Sequence, residues 1–246
     1  MENTLGIILA GGYGKRLLPL TKVINKHLLP VYDKPLIYYS LSILLKAKVK
    51  EIIFITNPEH EKMFKTQLNF LKGKVKIKFC IQKKPGGIAQ GLLMTKKIIK
   101  NKDVLLVLGD NIIKSEKIYK DIKKNYLKKS IIFTKKVKDP NRFGVIKYKD
   151  NKIIKIIEKP KRYVSNDAVT GIYFYKNKDL DHLKYLKKSK RGELEITDLN
   201  NYIIQDNNML ISKLTSKDYW LDTGTFESLF KAGEFFFKNK SNEFDI

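Results

Sequence analysis

The run Gly11-Gly12-Tyr13-Gly14-Lys15-Arg16 directly follows an apolar segment, and a second apolar segment ends in Gly109-Asp110-Asn111. Glycines in such a turn accept positive φ and let backbone amides approach a ligand closely, while Lys15 and Arg16 place fixed positive charge beside them. That combination suits a polyphosphate, although Gly-Gly-x-Gly also serves as an ordinary tight turn after a strand. Asp110 presents a similar choice. A carboxylate after an apolar strand caps the next helix, or it ligates a hard cation such as Mg²⁺, which takes one or two carboxylates together with substrate phosphates. The three histidines, His27, His60 and His182, are scattered without metal-ligand spacing. Cys80 is the single cysteine, so a structural zinc site and an intrachain disulfide both drop out.

The elements that must position these groups follow from hydrophobic periodicity. Residues 5–10 predict a strand buried on both faces, as in a parallel sheet. Pro19, Pro30 and Pro35 forbid a continuous helix, so the segment after the glycine turn is a long ordered loop, and such loops carry function. Then come a helix over 36–47, a strand over 51–56, a helix over 58–71, a strand over 75–81, a turn at 82–91 into a helix reaching about residue 99, and a strand over 103–108. This alternation predicts an α/β fold of three layers, a Rossmann-like mixed and mainly parallel sheet flanked by helices. Ligands in such sheets sit beyond the carboxyl ends of the strands, where the turns after residues 10 and 108 both open.

The second half changes character. Strands are expected over 131–137 and 168–175, the latter broken by Gly171, with a hairpin over 145–148 and 152–157 turning through 149–151. Helices are expected over 179–186, after 191–198, and after a turn at 219–225, with a strand over 209–214. No linker composition separates the halves. The expectation is one domain over 1–246, with a nucleotide half at 1–110 and a second substrate half at 111–246.

Charge is the feature most open to misreading. Of 246 residues, 50 are Lys or Arg against 25 Asp or Glu, giving +25 at pH 7. Clustered positive charge would suggest nucleic acid or an anionic membrane. Only four of the fifty are arginines, the lysines are dispersed, and no nucleic-acid-binding motif occurs, so a broad compositional bias explains the charge better. Hydrophobic residues at 43% exclude a disordered tail as the main theme. Neither a basic leader with an apolar run of signal length nor 18 successive apolar residues is present, so a cytoplasmic protein without a membrane segment is expected.

Taken together, Leu9 to Leu17, Lys26 to Pro35, Gly109-Asp110-Asn111, Arg142-Phe143-Gly144-Val145, Glu158-Lys159-Pro160, Arg191 to Asp198 and Trp220 to Thr225 resemble, in order, the sugar-1-phosphate nucleotidyltransferases. The stretch Val31 to Tyr39 resembles the thymidylyl-transferring branch in particular. The resemblance implies the nucleotide-diphospho-sugar transferase type of fold and a reaction of dTTP with glucose 1-phosphate that gives dTDP-glucose and pyrophosphate. Leu9, Gly11, Gly12, Gly14, Gln82, Gly87 and Asp110 would then bind the nucleotide, with Gln82 and Gly87 reading the base edge. Arg16 and Lys26 would be catalytic, stabilising charge on the triphosphate and departing pyrophosphate. Asn111, Gly144, Glu158, Lys159, Val169 and Arg191 would line the sugar phosphate, and Asp110 and Asp222 would hold Mg²⁺ from opposite halves of the chain.

The residues fit that chemistry independently. A sugar phosphate, with a second pKa of about 6, is already a nucleophile at neutral pH, so the site must supply alignment and charge neutralisation rather than a general base. The sequence departs from the family pattern at His27, where glutamine is usual, at Ser40, where proline is frequent, and at Gly86, where aspartate is common. These positions leave dTTP against UTP, and the sugar, unsettled. The sequence also resembles a short form without the helical C-terminal extension, so a separate feedback site is not expected and a homo-oligomer is left open. Two other classes compete. A dinucleotide-dependent oxidoreductase would use Asp33 for ribose, but Asp33 lies in a proline-flanked loop rather than after a second strand. A basic binding or regulatory protein on the same fold would have no need for Arg16, Lys26, Asp110 and Asp222 together.

Overall fold

The computed structural model describes residues 1, 3–150 and 152–239. Asn151, in the expected hairpin turn, and residues 240–246 lie outside the described residues. Among the described residues, the chain forms two compact units: 1–85, 106–114 and 219–239 fall in the first, and 86–105 and 115–218 in the second. A single cut after Asp110 does not reproduce this division, because the chain re-enters the first unit at Tyr219.

In the first unit, Thr4–Leu9 pairs in parallel with Glu51–Thr56, which pairs in parallel with Lys76–Ile81. Leu5, Ile7, Ile8 and Ile52 to Ile55 are fully buried, as expected of strands covered on both faces. Lys76–Ile81 is at the edge and keeps Lys76 and Lys78 exposed, which discourages edge-to-edge association. The helix Leu36–Lys46 starts immediately after Pro35, whose missing N–H costs nothing at a helix start. The long loop is ordered by three short 3₁₀ turns, Lys15–Leu17, Leu20–Lys22 and Lys26–Leu28.

Two short strands that the sequence did not reveal close this unit: Asn111–Lys114 pairs antiparallel with Tyr219–Asp222, setting Asp222 opposite Asn111. The segment expected as a turn at 219–225 is therefore a strand followed by a turn, and the last helix is Phe226–Asn239. Its inner face joins Val31, Leu36, Tyr39 and Ile112 through Ala232 and Phe236.

The second unit is built differently. Ser130–Lys136 pairs antiparallel with Asp167–Tyr175 and in parallel with Met209–Lys213, while Gly144–Lys149 and Lys152–Glu158 form the expected hairpin. Asp167–Tyr175 continues through Gly171 rather than breaking, but its register shifts between Val169 and Tyr173, a bulge in the place where the glycine suggested an interruption. The helix expected over 179–186 is a 3₁₀ helix, Asn177–Tyr185. The helix Glu116–Asn125 went unseen in the sequence because only Ile118 and Ile122 are buried on a lysine-rich segment. Helices Ile88–Ile99 and Ile196–Gln205 complete this unit.

Candidate active site

In the first unit the glycine turn is shaped by close approaches. Gly14 is left-handed at φ 61°, and its carbonyl accepts from Thr21 Oγ1 at 3.0 Å. A Cβ at Gly14 would come within 3.0 Å of Lys26 Cβ, and one at Gly11 would lie 2.8 Å from Gln82 Oε1, so the bare backbone is what admits Lys26 and Gln82 to this turn. Gly12 also faces the Lys26 side chain, with room for a Cβ at 3.6 Å from Cε. The Leu9 carbonyl accepts the Gly109 N–H at 2.9 Å, bringing the two strand ends together. Beside Gly11, buried Thr56 Oγ1 and Asn57 Nδ2 have no hydrogen-bond partner among the described residues. Buried polar atoms normally find partners, so these two mark a polar wall that a ligand could satisfy. Only the polar pair ending an apolar strand hinted at them in the sequence.

Asp110 is held through both of its carboxylate oxygens. Its Oδ2 pairs with the Lys26 ammonium, and its Oδ1 accepts from Asn111 Nδ2 at 3.0 Å. Burial opposes the charge, yet Lys26 and these hydrogen bonds hold the carboxyl well below the usual carboxylate range. Removing one partner from a buried pair of this kind costs about 3–5 kcal/mol. Asn111 is held in turn by Trp220 Nε1, which donates to its Oδ1 at 2.7 Å. The Asp110 carbonyl accepts from Thr223 N at 3.0 Å and Thr223 Oγ1 at 2.7 Å. Ser40 Oγ lies 2.9 Å from the Leu108 carbonyl and 3.1 Å from the Asn111 carbonyl, so this unusual serine brackets the turn that carries Asp110.

Asp222 reaches the same place from the far end of the sequence. A Cβ at Gly224 would meet Arg16 Nη2 at 2.5 Å and Asp222 Oδ2 at 3.2 Å, so the guanidinium and carboxylate both rest against that glycine. His27 sits behind the cluster, its Nδ1 2.7 Å from Asn25 Oδ1. Burial, then the neighbouring Lys26 charge, pushes its pKa down to about 3, so it is neutral and adds no charge of its own. The first unit thus gathers Leu9, Gly11, Gly12, Gly14, Arg16, Lys26, Gln82, Asp110, Asn111 and Asp222. Asp110 and Asp222, far apart in sequence, belong to one unit rather than to opposite halves.

The second unit gathers Gly87, Gly144, Glu158, Lys159, Val169 and Arg191. Glu158 pairs with Gly144 across the hairpin, and Thr197 Oγ1 donates to Glu158 Oε2 at 2.6 Å. A Cβ at Gly144 would lie 3.3 Å from Glu158 Oε2 and 3.2 Å from Thr197 Oγ1. Val169 is buried next to Ala168, the partner of Val145. Lys159 holds positive φ at 42°, donates its N–H to the Phe143 carbonyl at 2.9 Å and keeps its ammonium 3.9 Å from Glu158. Arg191 is turned toward carboxylates: Glu195 Oε2 at 2.8 Å, Glu193 Oε2 at 2.9 Å and Glu158 Oε1 at 3.8 Å. Gly87, at φ 101°, is pressed against Leu194, where a Cβ would lie 2.3 Å from the carbonyl oxygen.

A divalent cation fits the first cluster by donor chemistry. An ionised carboxylate at Asp110 stands next to the strand pair that carries Asp222, and hard cations take such oxygens with substrate phosphates. Among the described residues no group of three or more His, Cys, Asp or Glu could hold a metal alone. Two carboxylates completed by phosphate oxygens match that count.

Residues 5–239 match the family model described as nucleotidyl transferase. A glucose-1-phosphate thymidylyltransferase of Neisseria meningitidis is 44% identical over 94% of this chain and 81% of its own length. One from Mycolicibacterium smegmatis is 41% identical over the same shares. A Bacillus anthracis crystal structure, provisionally named glucose-1-phosphate thymidylyltransferase and holding sucrose, superposes with TM-score 0.87 at 39% identity, covering 99% of this chain and 96% of that one. A UDP-glucose pyrophosphorylase, 24% identical with TM-score 0.83, shares the fold. The mixed, mostly parallel sheet flanked by helices is thus common to this chain and these structures.

Proposed function

The chain belongs to the nucleotidyl transferase family, and from that premise we propose that it transfers a thymidylyl group from dTTP to glucose 1-phosphate. A phosphate oxygen of glucose 1-phosphate attacks the α-phosphorus of dTTP. The new oxygen–phosphorus bond forms as the bond to the β-phosphate oxygen breaks, giving dTDP-glucose and pyrophosphate. The observation that carries this reading is the Asp110 cluster beside the glycine turn: an ionised carboxylate held by Lys26, with Arg16 against Gly224 and Asp222.

Each residue then has a role that needs no proton transfer. Backbone at Gly11 and Gly12 approaches the triphosphate, and Arg16 and Lys26 offset the charge that gathers on the leaving pyrophosphate. Gln82, whose amide carries both a donor and an acceptor, pairs with the pyrimidine edge. In the second unit Glu158, fixed by Thr197, accepts from sugar hydroxyls, and Lys159 meets the sugar's phosphate. Asn111, held by Trp220, acts through its neighbour, orienting the Asp110 carboxylate toward Lys26. Mg²⁺ held by Asp110 and Asp222 would supply further neutralisation of the triphosphate.

Pyrophosphate release measured with glucose 1-phosphate and each of dTTP, UTP, CTP and GTP tests the assignment. Fastest release with dTTP, lost in Asp110→Asn, is the expected result. Preference for another nucleotide would reassign the base, and no release with any would overturn the reading. The base methyl is worth only about 1–3 kcal/mol, so some turnover of UTP is compatible with it.

A further inference from the structure

Ser40 is fully buried in the helix Leu36–Lys46, and a serine taken wholly out of water needs an acceptor for its hydroxyl. The same helix shows the ordinary solution. Ser42 Oγ donates back along the helix to the Tyr39 carbonyl at 2.8 Å. Ser40 does not: its Oγ leaves the helix and lies 2.9 Å from the Leu108 carbonyl and 3.1 Å from the Asn111 carbonyl, 68 and 71 positions away. The first of these carbonyls ends the strand Asp103–Leu108, and the second begins the strand Asn111–Lys114. One hydroxyl therefore clips both ends of the turn formed by Gly109 and Asp110.

The remainder of that turn is held from other directions. Thr223 occupies the Asp110 carbonyl through its N–H and its hydroxyl, and the Gly109 N–H donates to the Leu9 carbonyl. A Cβ at Gly109 would lie 2.7 Å from His27 Cδ2, so the backbone there is closely packed as well. Ser40 adds the tie between the helix and the backbone that carries the Asp110 carboxylate to Lys26. Charge stabilisation depends on groups fixed before the reaction, and a misplacement of about 1 Å can cost a hundredfold in rate. We propose that Ser40 is a positioning residue for the transfer reaction, setting the aim of the Asp110 carboxylate by clamping the carbonyls of Leu108 and Asn111. This role rests on the reading of Asp110 as the carboxylate that acts on the nucleotide's phosphates.

Trp220, the single tryptophan of the chain, reports on the turn without turnover, because its indole N–H donates to Asn111 Oδ1. In Ser40→Ala, hydrogen exchange of that N–H, followed by NMR on the full chain, should accelerate by about tenfold, while the amides of the buried strand residues 52–55 keep their rates. Pyrophosphate release from dTTP and glucose 1-phosphate should fall by about tenfold in kcat, with KM for both substrates within about twofold of wild type. Ser40→Cys, close in size and a weaker donor, should lie between the two. In an Asp110→Asn background the same Ser40→Ala change should cost less than about twofold, since its effect passes through that carboxylate. Equal losses in both backgrounds, or an indole N–H and a kcat unmoved in the folded alanine variant, would overturn the proposal. So would faster exchange throughout the strands, which would make Ser40 a support of the whole unit. Should Ser40→Ala not fold, the cysteine variant decides by the same measurements. A wild-type protein that releases no pyrophosphate would overturn the reading of the active site instead, and the indole exchange would then decide alone whether Ser40 holds the turn.

Discussion

The two units handle charge in opposite ways. In the first, Asp110 is balanced by Lys26, with Arg16 and Asp222 close by, and its supports arrive from residues 26, 40, 111, 220 and 223. In the second, one guanidinium, Arg191, faces three carboxylates at 158, 193 and 195, two of them within four residues of it. The first arrangement keeps basic and acidic groups together beside the backbone of the glycine turn, as a triphosphate with a cation requires. The second surrounds a cation with acceptors, while Lys159 keeps its ammonium 3.9 Å from the nearest of them, Glu158.

Breaking the first arrangement should cost the most. Asp110→Asn is expected to lower pyrophosphate release roughly 100- to 1,000-fold, read as kcat at saturating nucleotide. Gly224→Ala sharpens the same point without touching a charge: its Cβ must displace the Arg16 guanidinium, so activity should fall by about tenfold while the melting temperature moves little. In the second unit Thr197→Val removes the hydrogen bond to Glu158, and KM for glucose 1-phosphate should rise by about tenfold with kcat for dTTP consumption nearly unchanged. Equal losses at Thr197 and Asp110 in kcat would erase the distinction between the units.

The remaining prediction concerns stability rather than turnover, through pH. His27 is held neutral with a pKa lowered to about 3, whereas the unfolded residue takes up a proton near pH 6.5. As pH falls from 6.5 toward 3 the unfolded state binds the extra proton, so stability declines by up to about 1.4 kcal/mol per pH unit from this residue. Asp110 adds to the loss only below the unfolded carboxylate value, as its folded pKa is depressed too. His27→Gln should flatten the decline between pH 6.5 and 4, as followed by urea denaturation. An unchanged slope would move the acid sensitivity to other groups such as His60, whose pKa burial also lowers.

What could be seen in the sequence was what is local. The buried strand at Thr4–Leu9, the glycine turn and the hairpin at 144–158 each declare themselves within about a dozen residues. The pairing of Asn111–Lys114 with Tyr219–Asp222 does not, because four-residue strands carry little periodicity and their register depends on a partner more than a hundred positions away. For the same reason Ser40 looked like a mere departure from the family pattern, and its two carbonyl partners emerged only when the helix Leu36–Lys46 had been placed against the turn. Arg191 shows the converse: its motif was legible, but its pairing with the carboxylates of Glu193 and Glu195 was not.

The strand pair at Asn111 and Asp222 also fixes an order of events during synthesis. Trp220 and Asn111, 109 positions apart, cannot meet until the ribosome has delivered residues 219 onward. Long-range closures of this kind are slow relative to local ones. A nascent chain can therefore complete its glycine turn and hairpin while Asp222 is still untranslated, so the surroundings of Asp110 are completed late, after much of the scaffold has already folded.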